Sequence, residues 1–282
     1  MKLSANGSEF FIPDGVTEEE ALKRTTHVGI GAHQDDLEIM ASHGVLECFH
    51  VEGRKFLGIT ATNGAGSPRA GAYAKTTDSE MQKIRRGEQK KAAILGEYSA
   101  MAFLNHSSKD VKNPAAKHVT DDILGILSLA KPQVVYTHNF ADKHDTHVGV
   151  AIKTLAALRA LPATDRPKKV YGCEVWRSLD WMQDSEKLVM DLSNRQNMPA
   201  ALMGLYDSQI EGGKRYDLAA MGRWRANATF FASHDTDTST ALAFAMDLTP
   251  LVNDPKIDPI EFTLGFINRF SKDVADRIKA MS

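Results

Sequence analysis

Two short runs carry side chains that can do chemistry. His33, Gln34, Asp35 and Asp36 form the first; His138, Asp142, His144, Asp145 and His147 form the second. His33 and Asp36 are three residues apart, so a tight turn can bring both onto one cation. Asp35 must then point elsewhere, toward the solvent side of that cation. His144 and His147 share the same spacing. At a helix start it puts them on one face, about 5–6 Å apart at Cβ. One can hold a metal while the other reaches a substrate. Two imidazoles and one carboxylate leave a coordination position open, the pattern of a catalytic rather than a structural zinc. A closed structural site would draw on cysteine, and neither Cys48 nor Cys173 lies in these runs.

Other readings of the same residues are weaker. Gly29-Ile30-Gly31 opens like the dinucleotide fingerprint G-x-G-x-x-G, but Gln34 stands in place of the third glycine. Asp35 and Asp36 would also repel a pyrophosphate. A lone His–Asp pair is usually a hydrogen bond, and either aspartate could simply cap the next helix. Two such clusters at the ends of two parallel strands resist that explanation. His43 and His50, seven apart on one helix face, read as packed or surface side chains. His234 to Asp237 reads as a solvated loop. Trp176, Trp181 and Trp224 can stack on a sugar ring, although burial is the commoner fate of tryptophan.

The elements that must position these residues are legible in the apolar pattern. Residues 27–32, 56–62, 100–104 and 134–138 read as short buried strands. Residues 37–50, 79–96, 120–131 and 146–160 read as helices, with Gly96 as a C-cap. This alternation predicts an α/β fold, Rossmann-like, with a mostly parallel sheet flanked by helices. Ligands of such sheets sit at the carboxyl ends of the strands, and both histidine runs directly follow a strand. Past residue 168 the pattern weakens. Residues 169–176 and 187–192 read as strands; 198–211, 216–230 and 259–280 read as helices. Residues 63–78, 105–119 and 232–258 read as long loops, the last open to a helix over 241–248. Such loops often build sites.

Hydrophobic residues make up 43% of the 282 and charged residues 25%, which supports a sizeable core and argues against disorder. A net charge of −2 without a long basic run argues against nucleic acid as a partner. No apolar run approaches the ~20 residues that span a membrane. Two cysteines argue against a disulfide framework, and the opening run lacks the charged-then-apolar pattern of a signal peptide. The expectation is a cytoplasmic protein with a small-molecule substrate; homo-oligomerisation is left open.

The motifs also resemble a known family. Ala32-His33-Gln34-Asp35-Asp36 is similar to the A-H-[PxA]-D-D motif of the LmbE/PIG-L-like deacetylases, a mostly zinc-dependent group acting on N-acetylglucosamine conjugates. His144-Asp145-Thr146-His147 resembles that family's H-x-x-H motif. Thr62-Asn63-Gly64-Ala65-Gly66 is similar to its T-[DN]-G-x-x-G loop. Arg85 to Glu88, followed by Ala92, Leu95 and Gly96, resembles its R-x-x-E helix, and Ser208-Gln209 its late S-Q pair. On this resemblance residues 1–24 are an N-terminal extension, and 25–282 a single LmbE-like α/β catalytic domain. It implies that His33, Asp36 and His147 bind zinc, or another divalent metal such as Fe2+. It implies that Asp35 is the general base and that His144 stabilises or protonates the reacting group. Asn63, Arg69 and Arg85 are the candidate substrate contacts. Three departures bear on the substrate: Gln34 where proline is common, His43-Gly44 where two glycines are common, and Tyr206-Asp207 where a histidine is frequent.

The expected activity is removal of an acetyl group from an N-acetyl sugar or sugar conjugate by metal-bound water. Asp35 would accept the proton, and the oxyanion would lie between the metal and His144. Neighbouring carboxylates are expected to favour the charged form of His144. Asp142 or Asp145 is expected to orient a histidine. Two alternatives stand beside this. A metal-dependent hydratase acting on an unsaturated dicarboxylate would want an anion pocket built from Arg69, Arg85 and Arg86. A non-catalytic metal-containing binding protein would have no use for Asp35.

Overall fold

Eight strands form one mixed sheet in the computed structural model, which describes residues 1–282. β1 (Glu9–Phe11) pairs antiparallel with a later strand, and α1 (Glu18–Lys23) follows it. Next come β2 (His27–Gly31), α2 (Asp36–Met40), α3 (Ser42–Cys48), β3 (Phe56–Thr62) and α4 (Asp78–Leu95), capped by Gly96. β4 (Ala100–His106), α5 (Ser108–Lys112), α6 (Lys117–Ala130), β5 (Val134–His138) and α7 (Asp145–Ala160) continue the alternation. The last part holds β6 (Lys169–Cys173), β7 (Leu188–Asp191), α8 (Asn197–Met203), α9 (Asp207–Ile210), α10 (Tyr216–Phe230), β8 (Leu242–Asp247), α11 (Thr249–Asn253) and α12 (Pro259–Met281). The strand order is β1-β4-β3-β2-β5-β6-β8-β7. The run β4-β3-β2-β5-β6 is parallel, and β1 and β8 pair antiparallel with it. The fold is therefore the mostly parallel α/β sheet that the alternation predicts. The order reverses between β2 and β5, so the crevice beyond their carboxyl ends is the natural ligand position.

Period-two alternation explains the two cores. Val28 and Ile30 of β2 join Leu57, Ile59 and Ala61 of β3 on one face, beneath Ile123 and Leu127 of α6 and Val150 of α7. Leu37, Met40, Val45 and Phe56 belong to the other face. There Gly29 and Gly31 have a definite task. A Cβ on Gly29 would come within 2.7 Å of the Phe56 ring, and one on Gly31 within 3.0 Å of the Asp36 Cβ. The missing side chains let α2 lie directly on the sheet with Leu37 fully buried, a burial that stabilises by about 1.5–3 kcal/mol. The glycine pair seats the helix that carries Asp36.

Several boundaries differ from the sequence pattern. The helix expected over 37–50 breaks at Ala41, where φ is −110°. The helix expected over 198–211 is divided into α8 and α9. The expected loop 105–119 contains α5. The loop 232–258 contains the strand β8 and then α11. Its apolar run LAFAMD is buried at five of six positions, so it has no alternation to mark it as a strand. No helix is long and apolar enough to cross a membrane. Cys48 and Cys173 are both free and buried.

His27, at the start of β2, makes a testable contribution to stability. Burial, with Arg54 adding to it, lowers its pKa to about 4. An unfolded histidine titrates near 6.5. Between these values the unfolded chain binds a proton that the folded chain refuses, so stability falls as pH drops from about 6.5 to about 4. Urea midpoints of metal-free protein across that window should fall less steeply for His27→Phe than for the native chain. Equal slopes would contradict this assignment.

Candidate active site

The carboxyl ends of β2 and β5 carry the two histidine runs into one cleft of about 270 Å³. His33 Nδ1 lies 3.3 Å from His147 Nε2 and 3.3 Å from Asp36 Oδ2. His147 Nε2 lies 3.3 Å from Asp36 Oδ1. Ligands held at about 2.0–2.2 Å around a tetrahedral ion are about 3.4 Å apart, so this donor set has the dimensions of a zinc site. Its composition, two imidazoles and one carboxylate, also fits. A second cluster, His138, Asp142 and His147, is also close-packed. It fits less well, because His138 Nε2 already accepts a hydrogen bond from the Ala32 amide at 3.0 Å. His138 instead stacks on His147, ring centroids 3.9 Å apart.

Local structure aims each donor. The His33 amide donates to Asp36 Oδ2 at 2.7 Å, closing the three-residue turn. Asp142 Oδ2 faces His147 Nδ1 at 3.5 Å and accepts from the Trp176 amide at 3.1 Å, leaving His147 Nε2 toward His33 and Asp36. Asp142 is therefore the orienting carboxylate. Asp145 is exposed, and the N-cap of α7 is His144, whose Nδ1 accepts from the Thr146 amide at 3.3 Å. That bond puts the proton of neutral His144 on Nε2, where it can be donated.

Asp35 occupies a strained position. Its φ is 94°, rare for a residue with a Cβ and worth about 1–3 kcal/mol. It lines the cleft yet is only 8% exposed. Its amide donates to Gln89 Oε1 at 3.4 Å, and Arg85 Nη2 lies 3.4 Å from its Oδ1. Gln89 in turn donates to Glu38 at 2.9 Å. Glu38, fully buried, also accepts from the hydroxyls of Tyr98 and Tyr206 at 2.8 and 2.6 Å. Tyr206, standing where the family often has histidine, thus helps hold the buried Glu38. Glu38 and Gln89 were not singled out by motif; the one signal was a glutamate inside the apolar run Leu37 to Met40.

Charge follows from burial and neighbours. Burial pushes Asp35 up to about 8; Arg85 opposes this, while Asp36 and Glu38 add to it. Burial works against the charge of Asp36 too, yet His147, His138 and His33 hold it well below the usual carboxylate range. Burial lowers His33 to about 4 despite Asp36, so its nitrogen is neutral and available as a ligand. His144 does not gain the charge expected from its neighbouring carboxylates. Burial and the facing His147 lower it.

Of the three candidate substrate contacts, only Arg85 lines the cleft. Arg69 pairs with Asp78 at 2.6 Å, and Asn63 holds its own turn by accepting from the Ala65 amide. The turn brings in Gly64, whose φ of +75° and close approach to Gln34 leave no room for a Cβ. Glu88 pins Ser208 through its amide and hydroxyl at 2.7 and 2.6 Å, which delivers Gln209 to the cleft wall. Ser108, Lys112, Trp176 and Tyr216 complete that wall.

Residues 28–158 match the family model described as PIG-L: GlcNAc-PI de-N-acetylase. This span is similar to a PIG-L domain. Among solved structures, the chain is similar to 4-carboxy-2-hydroxymuconate hydratase GalB of Pseudomonas putida KT2440, at 15% identity over 83% of this chain and 98% of that one, with a TM-score of 0.58. It is also similar to N,N'-diacetylchitobiose deacetylase of Pyrococcus horikoshii, at 15% identity over 78% and 83%, with a TM-score of 0.56. A zinc-inhibited form of teicoplanin deacetylase matches at 16% identity over 79% and 97%, with a TM-score of 0.55. At these identities the likeness is one of fold. No curated protein sequence matches significantly. The matched span holds the cluster, Asp35, Arg85 and Asp142. Trp176, Gln209 and Tyr216 come from beyond its matched span, so part of the cleft wall is added by the rest of the chain.

Proposed function

We propose that the protein is a metal-dependent hydrolase that removes the acyl group from an N-acyl sugar or sugar conjugate, with zinc the expected ion and Fe2+ the other candidate. The observation that carries this reading is the convergence of His33, Asp36 and His147 at 3.3 Å spacings beside Asp35, within the span similar to a PIG-L domain. When bound there, the ion would supply a Lewis acid that polarises the amide carbonyl and acidifies water. Asp35 takes the proton of the attacking water. Its carboxylate lines the cleft beside the cluster, and Arg85 at 3.4 Å favours the charged form that a general base requires. His144 donates from Nε2 to the developing oxyanion. Asp142 keeps His147 aimed. Ser67, Ser108, Lys112 and Gln209 offer the hydrogen bonds that a polyhydroxylated ring requires.

The hydratase fold neighbour supports a second reading, which calls for an anion pocket of Arg69, Arg85 and Arg86. Arg69 is paired with Asp78, and Arg86 donates to Glu9 and Asn105 at 2.9 Å. Only Arg85 remains in the cleft, which favours the amide. Zinc-loaded protein incubated with a panel of N-acyl sugars should release free amine. Hydration of an unsaturated dicarboxylate, with no amine from any amide, would replace this reading with the second.

A further inference from the structure

We propose that the acyl group this protein removes best is longer than acetyl: an alkyl chain of medium length, seated in an apolar chamber that opens off the cleft. The inference rests on the amide-hydrolase reading above. The chamber has a volume of about 200 Å³ and shares Ile39, Val175, Trp176 and Tyr216 with the cleft. Ile39 lies one helical turn beyond Asp35 and Asp36, so the shared neck begins beside the carboxylates. A liquid water occupies about 30 Å³, so the chamber has room for about six or seven such units, and an acetyl methyl would fill about one of them.

Much of the lining is apolar because one face of α10 supplies it. Tyr216, Ala219, Ala220 and Trp224 recur at helical spacing along it. The charged residues at its edge have contacts of their own. Arg215 pairs with Asp217, Arg223 donates to the Val175 carbonyl, and Lys214 sits 5.3 Å from the centre of the Trp176 ring. They contribute aliphatic stems. The carboxylate of Glu174 is satisfied by the amides of Leu179 and Phe244 and by Asn227. Seven of the eleven lining residues are hydrophobic. The cleft on the other side of the neck is polar, with Ser67, Arg85, Ser108 and Lys112. An amide straddling the neck therefore puts its sugar in the cleft and its acyl chain in the chamber. Hydrolysis breaks the C–N bond, joins the oxygen of water to the carbonyl carbon, and releases a fatty carboxylate and a protonated amino sugar.

A series of N-acetyl-, N-butanoyl-, N-hexanoyl- and N-octanoyl-D-glucosamine, assayed with zinc-loaded protein by glucosamine release, tests this. Each buried methylene can contribute up to about fourfold in kcat/KM. The octanoyl amide should exceed the acetyl amide by more than about tenfold, well within that limit. A smaller ratio overturns the inference while leaving the hydrolase reading intact. So would faster turnover of octyl N-acetylglucosaminide than of N-octanoylglucosamine, which would put the aglycone in the chamber. Ala219→Trp, at an exposed position on the chamber wall, should lower the octanoyl-to-acetyl ratio about tenfold, and an unchanged ratio places the chain elsewhere. If no amide is cleaved the hydrolase reading fails, and the chamber is judged by binding alone. Octanoate, unlike acetate, should then quench tryptophan emission of metal-free protein, and Ala219→Trp should weaken that binding. Absence of octanoate binding overturns the inference.

Discussion

Asp35→Asn should keep about one metal ion per chain, as a three-ligand open site requires, and lose amide hydrolysis by roughly 10²–10⁴-fold. Asparagine has the shape of aspartate and tolerates positive φ, so the turn at 94° should survive the change. The amide of residue 35 still reaches Gln89. What disappears is the group proposed to take a proton. Asp36→Asn should behave differently. Asp36 lies within 3.3–3.4 Å of His33, His138 and His147, and its charge is held by all three. A neutral amide there should weaken metal affinity first, with turnover falling as the ion is lost. Elemental analysis beside turnover for both variants separates the roles. Loss of metal in Asp35→Asn with retention in Asp36→Asn would reverse them. Full turnover in both would place the chemistry elsewhere.

His147→Ala should lose both metal and activity, and chelation of the native protein should do the same, with zinc restoring activity only to the native chain. His147 is fully buried at the centre of the cluster, with Nε2 3.3 Å from both His33 and Asp36. Its stacking neighbour is already committed: the Nε2 of His138 accepts from the Ala32 amide. The loss should exceed the 10–100-fold that removing a merely supporting residue costs. Circular dichroism should show the α/β fold retained in His147→Ala. Stoichiometric metal in both His33→Ala and His147→Ala would rule this site out.

Much of this was open to a reader of the sequence, and the misses share a cause. Strands 27–32, 56–62, 100–104 and 134–138 were visible because short buried strands are uninterrupted apolar runs between turns. β8 escaped for the same reason in reverse, since a six-residue apolar run is as good a helix as a strand until its partners are known. The break at Ala41 also escaped. Nothing in LEIMASHGVL marks it, and Ser42 there turns its hydroxyl back to the Glu38 carbonyl.

Local spacing, by itself, marked the residues that gather at the site. A three-residue interval after a strand closes a turn, and a three-residue interval at a helix start shares a face; both are properties of short stretches of backbone. Strand order then implied that His33 and His147 meet at one sheet edge, which they do at 3.3 Å. Only the tertiary structure decided the rest. It chose Asp142 over Asp145 as the orienting carboxylate, and Arg85 over Arg69 as the cleft arginine. It turned His144 toward its neutral form, tied Glu38 to Tyr206 across 168 residues, and set an apolar face of α10 beside the cleft. Those outcomes depend on which side chains meet across long stretches of chain and on how much water is excluded where they meet. Burial depth and side-chain direction set both, and neither is written in residue spacing.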